Sequence, residues 1–78
     1  MRALLTRAEM SLKKELREIL REAQRQGWRV ELGRGGHYKL YPPESDEIVA
    51  TGSTPSSPLS LVKLVARMRR LGFRWRGR

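Results

Sequence analysis

Trp28-Arg29-Val30-Glu31-Leu32 alternates apolar and polar residues at every step, and Gly33-Arg34-Gly35-Gly36 separates it from a second alternating run, His37 to Tyr41. Successive side chains of a strand point to opposite faces. Trp28, Val30, Leu32, Tyr38 and Leu40 therefore share one face, and Arg29, Glu31, His37, Lys39 and Tyr41 the other. The glycines predict a hairpin turn between the two runs. Such a hairpin buries one face only, so the rest of the chain has to supply a layer against that face and leave the other open.

The flanking segments carry that layer. Leu12, Leu16, Ile19, Leu20 and Ala23 recur at helical spacing over Ser11 to Gln26, with Ser11 available as cap and Gly27 as terminator. Thr6 with Glu9 also forms a capping-box pattern, and Leu5, Ala8 and Leu12 would continue the same face, so an earlier start is equally open. After the hairpin, Pro42-Pro43 stops pairing, the polar Glu44 to Glu47 makes a loop, and Ile48 to Thr51 reads as a third short strand. Gly52 to Ser56 is a linker. Ser57 as cap and Pro58 in the first turn then start a second helix running to Leu71 and ended by Gly72, with Leu61, Leu64, Val65, Met68 and Leu71 as its stripe. The expected fold is α+β, helix-strand-strand-strand-helix, with both helices on one face of a three-stranded antiparallel sheet.

With 78 residues, the chain is below the usual domain size of roughly 100 to 150 residues, and one domain over 1–78 is expected, its core at about 8–73 and a basic tail at 74–78, with Phe73 to Arg78 frayed unless something orders it. A chain this small buries only about 60% of its unfolded surface. That leaves no room for a deep enclosed pocket and favours a large ligand on an open face. The absence of cysteine excludes disulfides, thiolate metal sites and cysteine nucleophiles, and no apolar run reaches the length of a membrane span. A cytoplasmic protein without a membrane partner or a cofactor, monomeric or weakly dimeric, is the expectation.

Lys and Arg number 17 against 8 Asp and Glu, a net charge of +9. The excess is uneven: no acid follows Glu47, while Lys63, Arg67, Arg69, Arg70, Arg74, Arg76 and Arg78 do. Such a field points to polyphosphate, and arginine's planar fork suits phosphates and stacked bases. RNA is the favoured partner. The alternative is a solvated arginine-rich surface.

His37, the single histidine, lies on the open face. RNA is cut without metal when a base takes the 2′-hydroxyl proton and cations stabilise the crowded phosphorane, and an imidazole titrates in the right range for this work. Arg34 and Lys39 are the nearest groups to grip a phosphate, Tyr41 is placed to stack on a base or donate a proton, and Arg29 adds charge. The competing reading makes His37 an ordinary polar residue at a strand start. The glycine turn has two readings as well, close backbone approach to a phosphate or a turn that requires positive φ. It lacks the Gly-Lys-Ser/Thr ending and following helix of a nucleotide-hydrolysing loop. Ser56, Ser57 and the amides that start the second helix suit a phosphate, or else simple capping with Pro58. Lys63, Arg67, Arg70 and Arg74 extend the nucleic-acid surface. Arg74-Trp75-Arg76 suits stacked single-stranded bases, or else Trp75 pins the tail to the core. Glu44, Asp46 and Glu47 read as a solvated turn, and no metal is assigned.

Gly27-Trp28, Arg34-Gly35-Gly36-His37 with the strand that follows, and Gly72-Phe73 closing the last helix resemble the HicA toxin family over roughly Leu12 to Phe73. The resemblance implies a fold like the double-stranded RNA-binding domain, a Gly-Gly-His signature entering the second strand, activity as an mRNA interferase with His37 as the catalytic residue, and a HicB-like antitoxin covering the active face. The chain departs from the family pattern at Ser53 to Pro58, which lacks the usual Lys-Gly-Thr approach to the helix.

Overall fold

A computed structural model describes residues 7–76. Helix α1 spans Arg7–Arg25, strand β1 Arg29–Leu32, strand β2 His37–Tyr41, strand β3 Val49–Gly52 and helix α2 Pro58–Arg70, with a single 3-10 turn, Arg34–Gly36, between β1 and β2. The strands form one antiparallel sheet in the order β1-β2-β3. The expected α+β order of helix, three strands and helix is the observed one.

The earlier of the two starts holds for α1. Ser11 lies inside the helix rather than capping it, and Thr6 is outside the described residues. The third strand is shifted by one residue, to Val49–Gly52, because Val49 is the buried residue while Ile48 stands 54% exposed. α2 begins at Pro58 as expected, where proline's missing N–H costs no helical bond. Ser57 occupies the cap position, yet its hydroxyl makes no capping bond and instead lies 3.4 Å from the Ser60 hydroxyl.

The two apolar stripes meet where the sequence spacing directs them. Leu16, Ile19, Leu20 and Ala23 of α1, Leu61, Leu64, Val65 and Met68 of α2, and Trp28, Leu40, Val49 and Phe73 are all buried in one cluster. Leu12, Val30, Tyr38 and Leu71 pack around it half-buried. Leu32 is an exception: it shares the inner face but remains 63% exposed, because it sits at the end of β1 beyond the cover of the helices.

Both helices end in the same way. Trp28 N–H donates to the Ala23 carbonyl at 2.9 Å and Gly27 N–H to the Gln24 carbonyl at 3.1 Å. Phe73 N–H donates to the Met68 carbonyl at 3.0 Å and Gly72 N–H to the Arg69 carbonyl at 3.1 Å. These are two Schellman caps, each with its glycine in the left-handed region, φ 99° at Gly27 and 102° at Gly72. Each cap turns the following aromatic inward, and the rings of Trp28 and Phe73 meet edge to face at 5.9 Å.

Contacts after the second cap order the segment that would otherwise fray, from Phe73 to Arg76. Trp75 stacks on Phe73 at 6.0 Å with ring planes 15° apart. The Gln26 side chain donates to the Arg74 carbonyl at 2.7 Å and accepts from the Arg74 N–H at 2.9 Å. Arg69 donates to the Trp75 carbonyl. Of the two readings of Arg74-Trp75-Arg76, the pinned one describes the backbone.

Replacing Gly72 by alanine isolates the cost of the left-handed cap, since a Cβ there meets nothing within 4 Å. Gly72→Ala is expected to lower the unfolding free energy by about 1–2 kcal/mol, and Phe73→Ala by about 3–5 kcal/mol. Gly52→Ala, where φ is not positive and the space is equally open, should stay within about 0.5 kcal/mol. Urea denaturation of the three variants checks the ranking, and equal losses at Gly72 and Gly52 would remove the cap argument.

Candidate nucleic-acid interface

The face of the sheet turned away from the helices displays Arg29 and Glu31 of β1, His37, Lys39 and Tyr41 of β2, and Ala50 and Gly52 of β3. Register decides which of them meet. Arg29 stands opposite Tyr41, Glu31 opposite Lys39, Lys39 opposite Ala50, and His37 opposite Gly52. The face therefore has two chemically different ends.

At the end near Tyr41 the charges are already matched. Arg29 donates to Glu31 Oε2 at 3.0 Å and its guanidinium lies 4.3 Å from the centre of the Tyr41 ring. The Tyr41 hydroxyl donates to Glu31 Oε1 at 3.1 Å. That bond to the carboxylate favours the neutral phenol and raises the Tyr41 pKa above its ordinary value, with burial adding in the same sense. Arg29 and Tyr41, both expected to serve the ligand, serve each other through Glu31. His37 and Tyr41 are also four residues apart on one strand, about 13 Å, so the two side chains do not meet.

At the other end Arg34 and Lys39 have no ion-pair partner among the described residues. The turn is closed by Gly33 N–H donating to the His37 carbonyl at 2.7 Å, and Ser53 N–H donates to the Gly36 carbonyl at 3.0 Å, which ties the chain leaving β3 to the hairpin tip. Gly35 and Gly36 both take φ 76°, so the turn reading of these glycines accounts for their presence. A Cβ at Gly36 would come within 3.2 Å of Ser53 Oγ, and one at Gly35 would approach His37 Nδ1 at 3.7 Å. The tighter of these two approaches is to Ser53, while a side chain at Gly35 would lie in ordinary contact with the imidazole. His37, Lys39 and Arg34 are exposed, and Gly52 opposite His37 adds no side chain. Among the described residues neither of these two cations nor the imidazole enters an ion pair.

The remaining expected contacts lie elsewhere. Ser57 opens α2, in the layer on the other side of the sheet from His37, so the two do not form one site. Lys63, Arg67 and Arg70 are exposed on α2 at positions that share a helical face. Arg67 bonds the Ala50 carbonyl on the outer edge of β3 at 2.8 Å, which covers part of that edge with positive charge. The Arg74 side chain is exposed although its backbone is held. Glu44, Asp46 and Glu47 are exposed, with Ser45 Oγ accepting from the Glu47 N–H at 3.1 Å, and among the described residues no three acids or histidines gather as a metal set.

A groove of about 680 Å³ runs between the first turns of α1 and the hairpin, floored by Met10, Leu16, Leu32 and Tyr38 and rimmed by Lys13, Lys14 and Arg17. Its signal was Leu32, an inner-face residue one step beyond the last helix-covered position.

Glu31→Gln is expected to bring the Tyr41 pKa back toward the ordinary tyrosine value. In the unaltered protein the phenol–carboxylate bond is fully present below the ordinary pKa and is lost as pH climbs through the raised one. Spectrophotometric titration of tyrosinate, with Tyr38→Phe to leave Tyr41 as the single tyrosine, measures the change, and an unmoved titration would break the link to Glu31. Compared with family models, with curated proteins and with solved structures, the chain matches none.

Proposed function

We propose that the chain is a HicA-like RNA-binding protein and an mRNA interferase, the toxin of a toxin–antitoxin pair, that works at the hairpin end of its open sheet face. The observation that carries the reading is the exposure of His37 at the first position of β2, opposite Gly52 and on the hairpin with Arg34 and Lys39, which enter no ion pair among the described residues. The order of helix, three strands and helix and the entry of Gly35-Gly36-His37 into the second strand agree with the HicA resemblance. His37 takes the 2′-hydroxyl proton, the 2′-oxygen attacks phosphorus, and the bond to the 5′-oxygen breaks, leaving a 2′,3′-cyclic phosphate and a 5′-hydroxyl that takes its proton from water. Arg34 and Lys39 hold the phosphate and stabilise its added charge. Lys63, Arg67, Arg70 and Arg74 attract the polyanion from a distance. The reaction needs no cofactor, and a HicB-like antitoxin is the partner that covers this face in the cytoplasm.

A second reading, a non-catalytic RNA- or DNA-binding module of the same fold, draws on a specific observation: the Tyr41 hydroxyl is engaged with Glu31 and is not available to serve His37. Incubation of the protein with long mRNA in the presence of a chelator separates the two. The first reading expects fragments that His37→Ala abolishes, with RNA affinity of the variant within about threefold of the unaltered protein. Intact RNA with both proteins, despite binding, selects the second. Affinity should also fall steeply between low and high salt, by a factor of 10 or more for several neutralised phosphates, and a flat profile would contradict both readings.

A further inference from the structure

We infer that the junction of the α1 C-terminus with the C-terminal segment is a second RNA contact, which takes one unpaired nucleotide with its base on Trp75 and its phosphate between Arg74 and Arg76. The inference rests on the RNA-binding reading above. A cavity of about 630 Å³ opens there, lined by Glu22, Arg25, Gln26, Arg74, Trp75 and Arg76. It lies at the Trp28 end of β1, and the five steps from Trp28 to Gly33 put it roughly 16 Å from the hairpin turn.

The fixed and free parts of this wall are sharply divided. Gln26 takes both the N–H and the carbonyl of Arg74, and Arg69 takes the carbonyl of Trp75. The backbone of the segment is therefore held in place before any ligand arrives, which reduces the ordering cost of binding. The guanidinium groups of Arg74 and Arg76 are exposed and, among the described residues, form no ion pair. Folding thus uses the main chain of residue 74 and leaves its charge for something else.

The acid in the wall does not oppose an anion. Glu22 accepts from Arg25 Nε and an Arg25 terminal nitrogen at 2.9 Å each and from Gln26 at 2.7 Å, so its carboxylate is fully compensated, and these donors hold its pKa below the ordinary value. Trp75 supplies the surface for a base. Its ring is half-buried and stacked in parallel on Phe73, which keeps it rigid, and it lines the cavity. A rigid indole flanked by two uncommitted arginines is the combination that binds a base by stacking and its phosphate by charge. Trp28, the other tryptophan, is 4% exposed and beyond reach of such a ligand.

Trp75 reports on its own occupancy. An unstructured 12-mer oligoribonucleotide should quench the fluorescence of the protein, and the quench should vanish in Trp75→Phe, which retains an aromatic ring against Phe73. Arg74→Ala combined with Arg76→Ala, which leaves every backbone bond of the clamp in place, should weaken 12-mer affinity about tenfold without moving the melting temperature. His37→Ala should leave the quench intact. If fluorescence anisotropy of a labelled 12-mer shows binding while tryptophan emission stays constant and the double variant binds as tightly as the unaltered protein, this second contact is wrong and the RNA-binding reading survives. If no RNA binds at any salt, both fall.

Discussion

Everything in this small fold hangs on two helix ends. Gly27 and Gly72 each adopt a left-handed conformation that only glycine takes without strain, and each sends the next residue, Trp28 or Phe73, back into the core. The edge-to-face contact of those rings joins the exit of α1 to the exit of α2. Gln26 adds the lock: its amide serves Glu22 on one side and both backbone groups of Arg74 on the other, so both of its N–H donors and its oxygen are engaged. A chain with a thin core gains disproportionately from such a closure, because it anchors a segment that periodicity alone would leave in solvent.

The same closure sets the phase of the sheet. Trp28 is committed inward by the cap, so alternation commits Arg29 and Glu31 outward, and antiparallel register then fixes His37, Lys39 and Tyr41 on that outer face. A slip of one residue would turn His37 inward and expose Leu40. The outer face is not uniformly positive. Glu31 neutralises one end through Arg29 and Tyr41, while the hairpin end keeps Arg34, His37 and Lys39 without partners among the described residues. Charge compensation, more than charge itself, distinguishes the part of the surface suited to grip a phosphate.

Much of this was legible in the sequence, because it depends on local periodicity. The two stripes, the alternation and the glycine stops at 27 and 72 gave the element order and both faces of the sheet. What escaped depends on distance in space. The Gln26 to Arg74 bonds join residues far apart in the chain, and nothing in Phe73-Arg74-Trp75-Arg76 announces them. Leu32 has the correct parity for the core, yet parity does not tell how far the helices extend over the strand. The Arg29, Glu31 and Tyr41 cluster needs the hairpin register, which the composition of the turn leaves undetermined. Ser57 has the right type and position for a cap, and its side chain still bonds elsewhere.

The proposed cleavage places its chemistry at His37. The most direct measurement is the chemical nature of the ends of RNA exposed to the purified protein. Attack by the 2′-oxygen with His37 as proton acceptor predicts fragments ending in 2′,3′-cyclic phosphate paired with 5′-hydroxyl ends. Fragments ending in 3′-hydroxyl and 5′-phosphate, or cyclic-phosphate fragments produced equally by His37→Ala, would contradict it.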